Sequence, residues 1–287
     1  ENNNKCIWHS DVDTKPIKKL VDQLRLEKDS NGDWLLVDII LKDLDLFQID
    51  FNSAILVQPQ LKNIDFSNRK INDLEILGGN IYKCEFTGSN IRSIRFVGSD
   101  MKKLVFDDSN IHELKMRNCD LFLTTFDDSV IDNISSQAGS WKNVNFNATI
   151  KSGKIMGKDV IKYTSFMGTY QNLSFRGGII KSSYLSKASF AKCGFRDITL
   201  EYCTSFDSKY SNVEFVGGTL KNCTFKNTRF ALETRFENLS LKNNVFRDNN
   251  INNFVFEECD VNDLVLVSEE DTIKRISFKY LDKCCNV

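Results

Sequence analysis

Between Phe86 and Ile131 the chain reads FTGSNIRSIRFVGSDMKKLVFDDSNIHELKMRNCDLFLTTFDDSVI, and a large apolar residue stands at every fifth place: Phe86, Ile91, Phe96, Met101, Phe106, Ile111, Met116, Leu121, Phe126 and Ile131. Upstream the same beat starts at Leu46 and passes through Phe51, Leu56, Leu61, Phe66, Ile71, Ile76 and Ile81. Downstream it continues at Trp141, Phe146, Met156, Ile161 and Phe166, broken only by Ser136 and Lys151. A helix repeats its apolar face every 3.6 residues and a half-buried strand every second residue. A period of five is neither, and a fixed period over so many residues is the signature of a solenoid whose coils stack on their neighbours.

The number of five-residue sides in a coil follows from which residue returns. Phe66, Phe86, Phe106, Phe126, Phe146 and Phe166 recur at steps of twenty, while the Leu61, Ile81, Met101, Leu121 column and the Phe51, Ile71, Ile91, Ile111 column stay mainly aliphatic. Twenty residues therefore make one four-sided coil, and each column is a stack of like side chains along the axis. The residue two places before each inward hydrophobe alternates between small (Gly79, Ser89, Ser99, Ser109, Cys119, Ser129) and aliphatic or Cys (Leu74, Cys84, Ile94, Leu104, Leu114), so both sets are expected inside.

After Phe166 the rhythm shifts. A nine-residue step to Phe175 reads as a tight corner around Tyr170, and Phe206 reads as an inward residue one place late. The beat then runs through Phe195, Phe215 and Phe236 to Phe256 and Leu266. Residues 46–266 thus make about eleven coils, which at ~4.8 Å per coil is a stack on the order of 50 Å. The structural core is assigned to Phe66, Phe86, Phe106, Phe126, Phe146, Phe166, Phe195, Phe215 and Phe256. Lys151 cannot stay charged in an inward slot cheaply, so Ile150 is expected to replace it.

The triplets Ser89-Asn90-Ile91, Ser109-Asn110-Ile111, Ser99-Asp100-Met101 and Cys119-Asp120-Leu121, with Ala188-Ser189-Phe190, resemble the Ala-Asp/Asn-Leu/Phe motif of the pentapeptide-repeat proteins. The resemblance covers about 46–266 and implies an all-β solenoid: a right-handed, four-sided β-helix. Alternate repeats depart from the motif by carrying Leu or Ile at the small position, and Phe, with 22 residues, is unusually common. In this the chain looks like a divergent subgroup, similar to the β-helix portion of bacterial effectors delivered into host cells, among them the HECT-like effector ubiquitin ligases.

Residues 1–45 are read as an N-terminal capping segment. Thr14 and Pro16 suit a helix start, Ile17, Leu20, Val21 and Leu24 follow at helical spacing, and Trp34–Leu41 reads as either a buried helix or a first strand. Residues 267–287 are read as a C-terminal cap or a degenerate last coil. The start at Glu1 without Met suggests a trimmed fragment. No signal peptide and no apolar run of membrane-spanning length is read, and five of the nine cysteines sit in inward slots, which favours a reducing compartment: the bacterial cytoplasm, or a host cell after secretion.

Little points to catalysis, and no cofactor or metal is expected. His9 and His112 are the two histidines, neither placed beside a nucleophile, and no Cys-X-X-Cys spacing occurs. Asp107-Asp108 and Asp127-Asp128 are twenty apart and should stack as an acidic stripe. Formal net charge is −1, which disfavours nucleic acid as a general partner. The charge is uneven, however. Residues 46–131 carry 12 acidic and 10 basic residues, 141–230 carry 5 acidic and 14 basic, net +9, and 231–287 carry 11 acidic and 7 basic. Lys142, Lys154, Lys158, Lys162, Arg176, Lys181, Lys187, Lys192 and Arg196 form the candidate partner-binding basic face. A protein partner, host proteins included, is expected, and an anionic membrane surface answers to the same charge. The reading is a non-catalytic protein-binding scaffold or substrate-recognition module, with two alternatives carried by the resemblance: the β-helix domain of a larger effector ubiquitin ligase, and a DNA mimic acting on type II topoisomerase.

Overall fold

The structure, a computed structural model, describes residues 34–45, 53–157, 160–251, 254–267, 276–279 and 284–285, together with positions 19 and 22. The helix expected over residues 14–24 lies almost wholly outside them. The fold is an all-β, right-handed solenoid of parallel strands with about twenty residues per coil. Two compact units divide at Ser135 and Ser136.

In the first unit the register is uniform. Leu61 lies opposite Ile81, Ile81 opposite Met101 and Met101 opposite Leu121 on the first side of the coil. Phe66, Phe86, Phe106 and Phe126 fill the second side, their rings parallel with centroids 4.7, 4.7 and 4.9 Å apart. Ile71, Ile91 and Ile111 line the third, and Ile76, Phe96 and Met116 the fourth. All are buried. The spacing between coils equals the strand spacing of a sheet, so backbone hydrogen bonding sets the distance at which like rings stack. Ser89, Ser99 and Ser129 are buried beside these columns and donate to the carbonyls of Phe66, Gly78 and Phe126, which removes the cost of a buried hydroxyl.

Corners turn on residues with positive φ, in the first unit Asn63, Lys83, Lys103 and Leu123 after the first side. Between the fourth and first sides Gly79 takes this role at φ 78°; a Cβ there would lie 2.2 Å from the Pro59 carbonyl oxygen.

The solenoid begins earlier than residue 46. Trp34–Val37 pairs with Ala54–Val57, and Ile40–Asp45 with Gln60–Asp65, in the same twenty-residue register. Leu36 and Leu41 are buried inward residues five apart, so the beat already runs here and the strand reading of 34–41 is the one realised. At the other end Ile276–Lys279 pairs with Phe254–Glu257, and Cys284–Cys285 with Val261 and Asn262; the described part of 267–287 is strand.

The second unit has slips. Phe146 steps four residues to Ile150, and Ile155 follows, so Lys151 is exposed and Met156 lies half-buried outside while Ile155 takes the slot that the five-residue beat gave to Met156. Tyr170 is no corner. It is fully buried in register with Ile150 and Phe190, and its hydroxyl donates to the carbonyls of Phe146 and Met167. Phe206 is likewise no late inward residue; Ser205 occupies the slot opposite Phe225 and Phe206 points outward. The Phe ladder changes sides. Phe146 and Phe166 stack on the second side, Phe166 meets Phe175 edge-on at 5.7 Å, and Phe175, Phe195, Phe215 and Phe236 continue on the fourth side with centroids 4.6–4.8 Å apart. A bulged corner at Leu232 and Glu233, both with positive φ, inserts the residue that makes Phe215 pair with Phe236.

Candidate interface on the second unit

A coil exposes the residues that flank each inward one, and register stacks them in columns. On the fourth side of the second unit, Lys154, Ser174, Gly194 and Glu214 form one column and Met156, Arg176, Arg196 and Val216 the other, with Ile155, Phe175, Phe195 and Phe215 buried between. The adjoining corner adds Asn172, Lys192 and Asn212. With the two columns, Val216 apart, these line a groove of about 520 Å³. Arg176 and Arg196 stand directly opposite on neighbouring strands, ~4.8 Å apart along the backbone. Arg196 donates to Glu214 at 2.6 Å, an exposed pair worth ~0.2–1 kcal/mol. Lys154, Arg176 and Lys192 have no carboxylate partner among the described residues. Unopposed cations crowded on one face repel each other and are relieved by an anionic ligand.

The nine basic residues expected to share one face are divided by the coil geometry. Lys154, Arg176, Lys192 and Arg196 line this groove. Lys142, Lys162 and Lys181 form a column on the first side, which Glu201, Lys221 and Lys242 extend. Lys187 belongs to the corner between the second and third sides, beside Asp207 and Lys209. Lys158 lies outside the described residues. Lys181 and Lys221 both reach Glu201, at 2.9 and 3.5 Å, and the Lys181 ammonium holds the Glu201 carboxyl below the usual carboxylate range. The lysine column was legible as Lys at near-twenty-residue steps, each one residue after an inward hydrophobe. A reading confined to net charge per segment does not find it.

The remaining reactive types are placed as follows. His112 is exposed on the first unit with Nδ1 2.9 Å from Asp132 Oδ2, and His9 lies outside the described residues. Asp107 and Asp127 stack, with the Asp127 amide donating to Asp107 Oδ1 at 2.9 Å. Burial first, then Asp107 and Asp128, raises the Asp127 carboxyl. Cys84, Cys119, Cys193, Cys203, Cys223 and Cys259 are buried free thiols, and burial pushes Cys84 up to about 12. Burial likewise raises Cys119, Cys193 and Cys259, and thiols so raised are poor nucleophiles. Among the described residues no three metal-ligating side chains cluster, and no helix is long and apolar enough to cross a membrane. The nine core phenylalanines are all buried.

Comparison with known proteins gives one family match: residues 84–121 fit the pentapeptide repeats, in eight copies. No curated protein matches the chain at the sequence level. Among solved structures it is similar to HetL, a pentapeptide repeat protein involved in heterocyst differentiation regulation in the cyanobacterium Nostoc, at 12% identity over 90% of this chain and 94% of that one, TM-score 0.30. It is also similar to the plasmid-mediated fluoroquinolone resistance protein QnrB1, at 12% identity over 82% and 91%, TM-score 0.22. The Streptococcus pneumoniae surface protein and adhesin PfbA gives 9% identity over 94% and 97%, TM-score 0.38. Superpositions at these scores carry no functional argument. Over residues 84–121 the twenty-residue register and the family match agree, so this part of the solenoid is similar to the pentapeptide repeats.

Proposed function

We propose that the chain is a non-catalytic protein-binding scaffold that docks an acidic partner protein on the groove of Lys154, Arg176, Lys192 and Arg196, as the recognition module of a secreted bacterial effector. The observation that carries this reading is the convergence of four cations around one groove in which Glu214 is the only carboxylate among the described lining residues. Parallel strands fix the backbone beneath these groups, so the entropy lost on docking is that of the side chains rather than of the chain that carries them. Host proteins are the expected partners, and attachment to a ubiquitin-ligase catalytic region is the form this module takes if the resemblance to the HECT-like effectors extends that far.

The test is affinity capture from eukaryotic and bacterial lysates with the native chain and with Lys154→Glu/Arg176→Glu/Lys192→Glu. A eukaryotic protein retained by the first and lost with the second supports the reading. Capture unchanged by the substitutions overturns the groove. A second reading, the DNA mimic, is favoured by the stacked Asp107, Asp108, Asp127 and Asp128 of the first unit. Enrichment of bacterial gyrase, with inhibition of its supercoiling activity, would replace the first reading by this one.

A further inference from the structure

The basic groove has a floor as well as a rim. Its middle column runs Lys154, Ser174, Gly194, Glu214, one residue per coil, and the register passes through Gly194 without a bulge. Neither conformation nor packing calls for glycine at this place. The φ of Gly194 lies outside the left-handed region, and a Cβ built on it would meet nothing nearer than the Arg196 Nε, at 3.8 Å. Glycine weakens a strand, and where no bulge or bend needs it, it marks a close approach by another molecule. Beside it the Ser174 hydroxyl makes no hydrogen bond among the described residues. Two small residues, one with an unused donor, thus make the floor.

Cations surround that floor. Arg176 flanks Phe175 on the same strand as Ser174, Arg196 stands one rung on, Lys154 stands one rung back, and Lys192 lines the groove from the adjoining corner. Glu214 is two rungs from Ser174, ~10 Å along the stack, and its carboxylate is engaged by Arg196 at 2.6 Å. A carboxylate carries one charge and two coplanar oxygens, and a single guanidinium fork fills it. A phosphomonoester carries nearly two charges and three acceptor oxygens at neutral pH. Two adjacent forks with two ammonium groups exceed what one carboxylate can use and match a phosphoryl group.

We propose that the groove takes a phosphorylated side chain of the partner protein, its phosphoryl group lying over Ser174 and Gly194 between Arg176, Arg196 and Lys192. The guanidinium forks and the Ser174 hydroxyl donate to its oxygens, and Lys154 adds charge from the near end. Glu214 holds Arg196 across Gly194 while the groove is empty. The inference rests on the reading of this groove as the docking site for an acidic partner protein, and it names the group that partner presents. A lipid headgroup carries the same phosphoryl chemistry. A bilayer, however, would set its anions against Glu214 as well, whereas one phosphorylated side chain keeps clear of it. Asn172 and Asn212 on the corner wall also offer the paired donor and acceptor that a peptide backbone uses.

The experiment titrates the intact chain into short fluorescein-labelled peptides of one neutral sequence, read by polarisation. Their central position carries phosphoserine, phosphotyrosine, a Glu-Glu pair of matching charge, or serine. A phosphopeptide is expected to bind about tenfold or more tighter than the Glu-Glu peptide. Arg176→Lys keeps the charge and loses the fork. It should weaken the phosphopeptide about tenfold and leave the Glu-Glu peptide within about threefold. Gly194→Val fills the floor and should abolish the preference, with the melting temperature unchanged or higher, since valine suits a strand better than glycine. Phosphatidylcholine vesicles carrying a phosphoinositide should leave the chain in the supernatant on sedimentation. No peptide binding, equal binding of phosphorylated and Glu-Glu peptides, a preference that survives both substitutions, or sedimentation with vesicles that Arg176→Lys abolishes overturns the proposal. If lysate capture still depends on Lys154, Arg176 and Lys192 in any of these cases, the docking reading stands and the phosphoryl assignment alone falls. Capture indifferent to those residues, with the phosphopeptide preference intact, does the reverse.

Discussion

The Tyr210 hydroxyl lies 3.0 Å from that of Ser205, five residues earlier on the preceding side of the coil. Ser205 stands in a column otherwise filled by large residues such as Leu185 and Phe225, and both hydroxyls are buried. The small side chain leaves room that the longer tyrosine reaches into, and burial raises the Tyr210 phenol well above its usual value.

Tyr210→Phe should therefore destabilise the fold by about 1 kcal/mol, the net value of one buried hydrogen bond. In a double-mutant cycle with Ser205→Ala the two losses should fall short of additive by ~0.5 kcal/mol or more. Urea unfolding of the four proteins measures both quantities, and full additivity would deny the coupling.

Phe106 and Phe206 differ by one hundred residues and by the side of the backbone on which they project. Phe106 is completely buried between Phe86 and Phe126, so Phe106→Ala should cost about 3–5 kcal/mol. Phe206 points outward and is 39% exposed, so Phe206→Ala should cost only about 1 kcal/mol. Equal losses in denaturant titrations would contradict the register at Ser205.

Asp127 gives a pH dependence of definite sign. Its carboxyl is raised in the folded state by burial, then by Asp107 and Asp128, so the folded chain holds that proton to higher pH than the unfolded one. Its ionisation then opposes folding, and this contribution to stability falls as pH rises through the interval between the unfolded and folded values. Asp127→Asn should raise the melting temperature at neutral pH. The gain should vanish once pH falls below the ordinary Asp value of 3.8. A gain independent of pH would assign the effect to something other than charge.

Thiol labelling tests the interior. Cys84, Cys119, Cys193 and Cys259 are buried, and burial raises each of their thiols. At mildly alkaline pH the native chain should leave all four unmodified by iodoacetamide, and peptide mapping should find them labelled once guanidinium unfolds it. Labelling in the native state would place them at the surface.

Most of the first unit was readable, because every fifth residue from Phe66 to Ile131 is large and buried and the register never slips. Even its earlier start was present in Leu36 and Leu41, five residues apart and five before Leu46. The second unit was less readable for a local reason. At Ile150 and Tyr170 the side chain that turns inward arrives after four residues, and at Ser205 it is small. A search for large residues at fixed steps therefore selected Met156 and Phe206, which are outside. The interface was harder still. Counting charge over a segment joins Lys142, Lys187 and Lys192, which the coil places on three different parts of its perimeter.

The unbroken register of the first unit also bears on how such a chain can change its length. Residues twenty apart there are interchangeable rungs: Asn90 faces Asn110 as Lys70 faces Asn90. Excising one whole turn, such as residues 85–104, would bring Cys84 to Val105 and carry every column across the junction intact. Removing half a turn would set phenylalanines over isoleucines and corners over strands. Growth and shrinkage are thus quantised, and duplication of a single coil extends the surface by one rung without redesigning any contact.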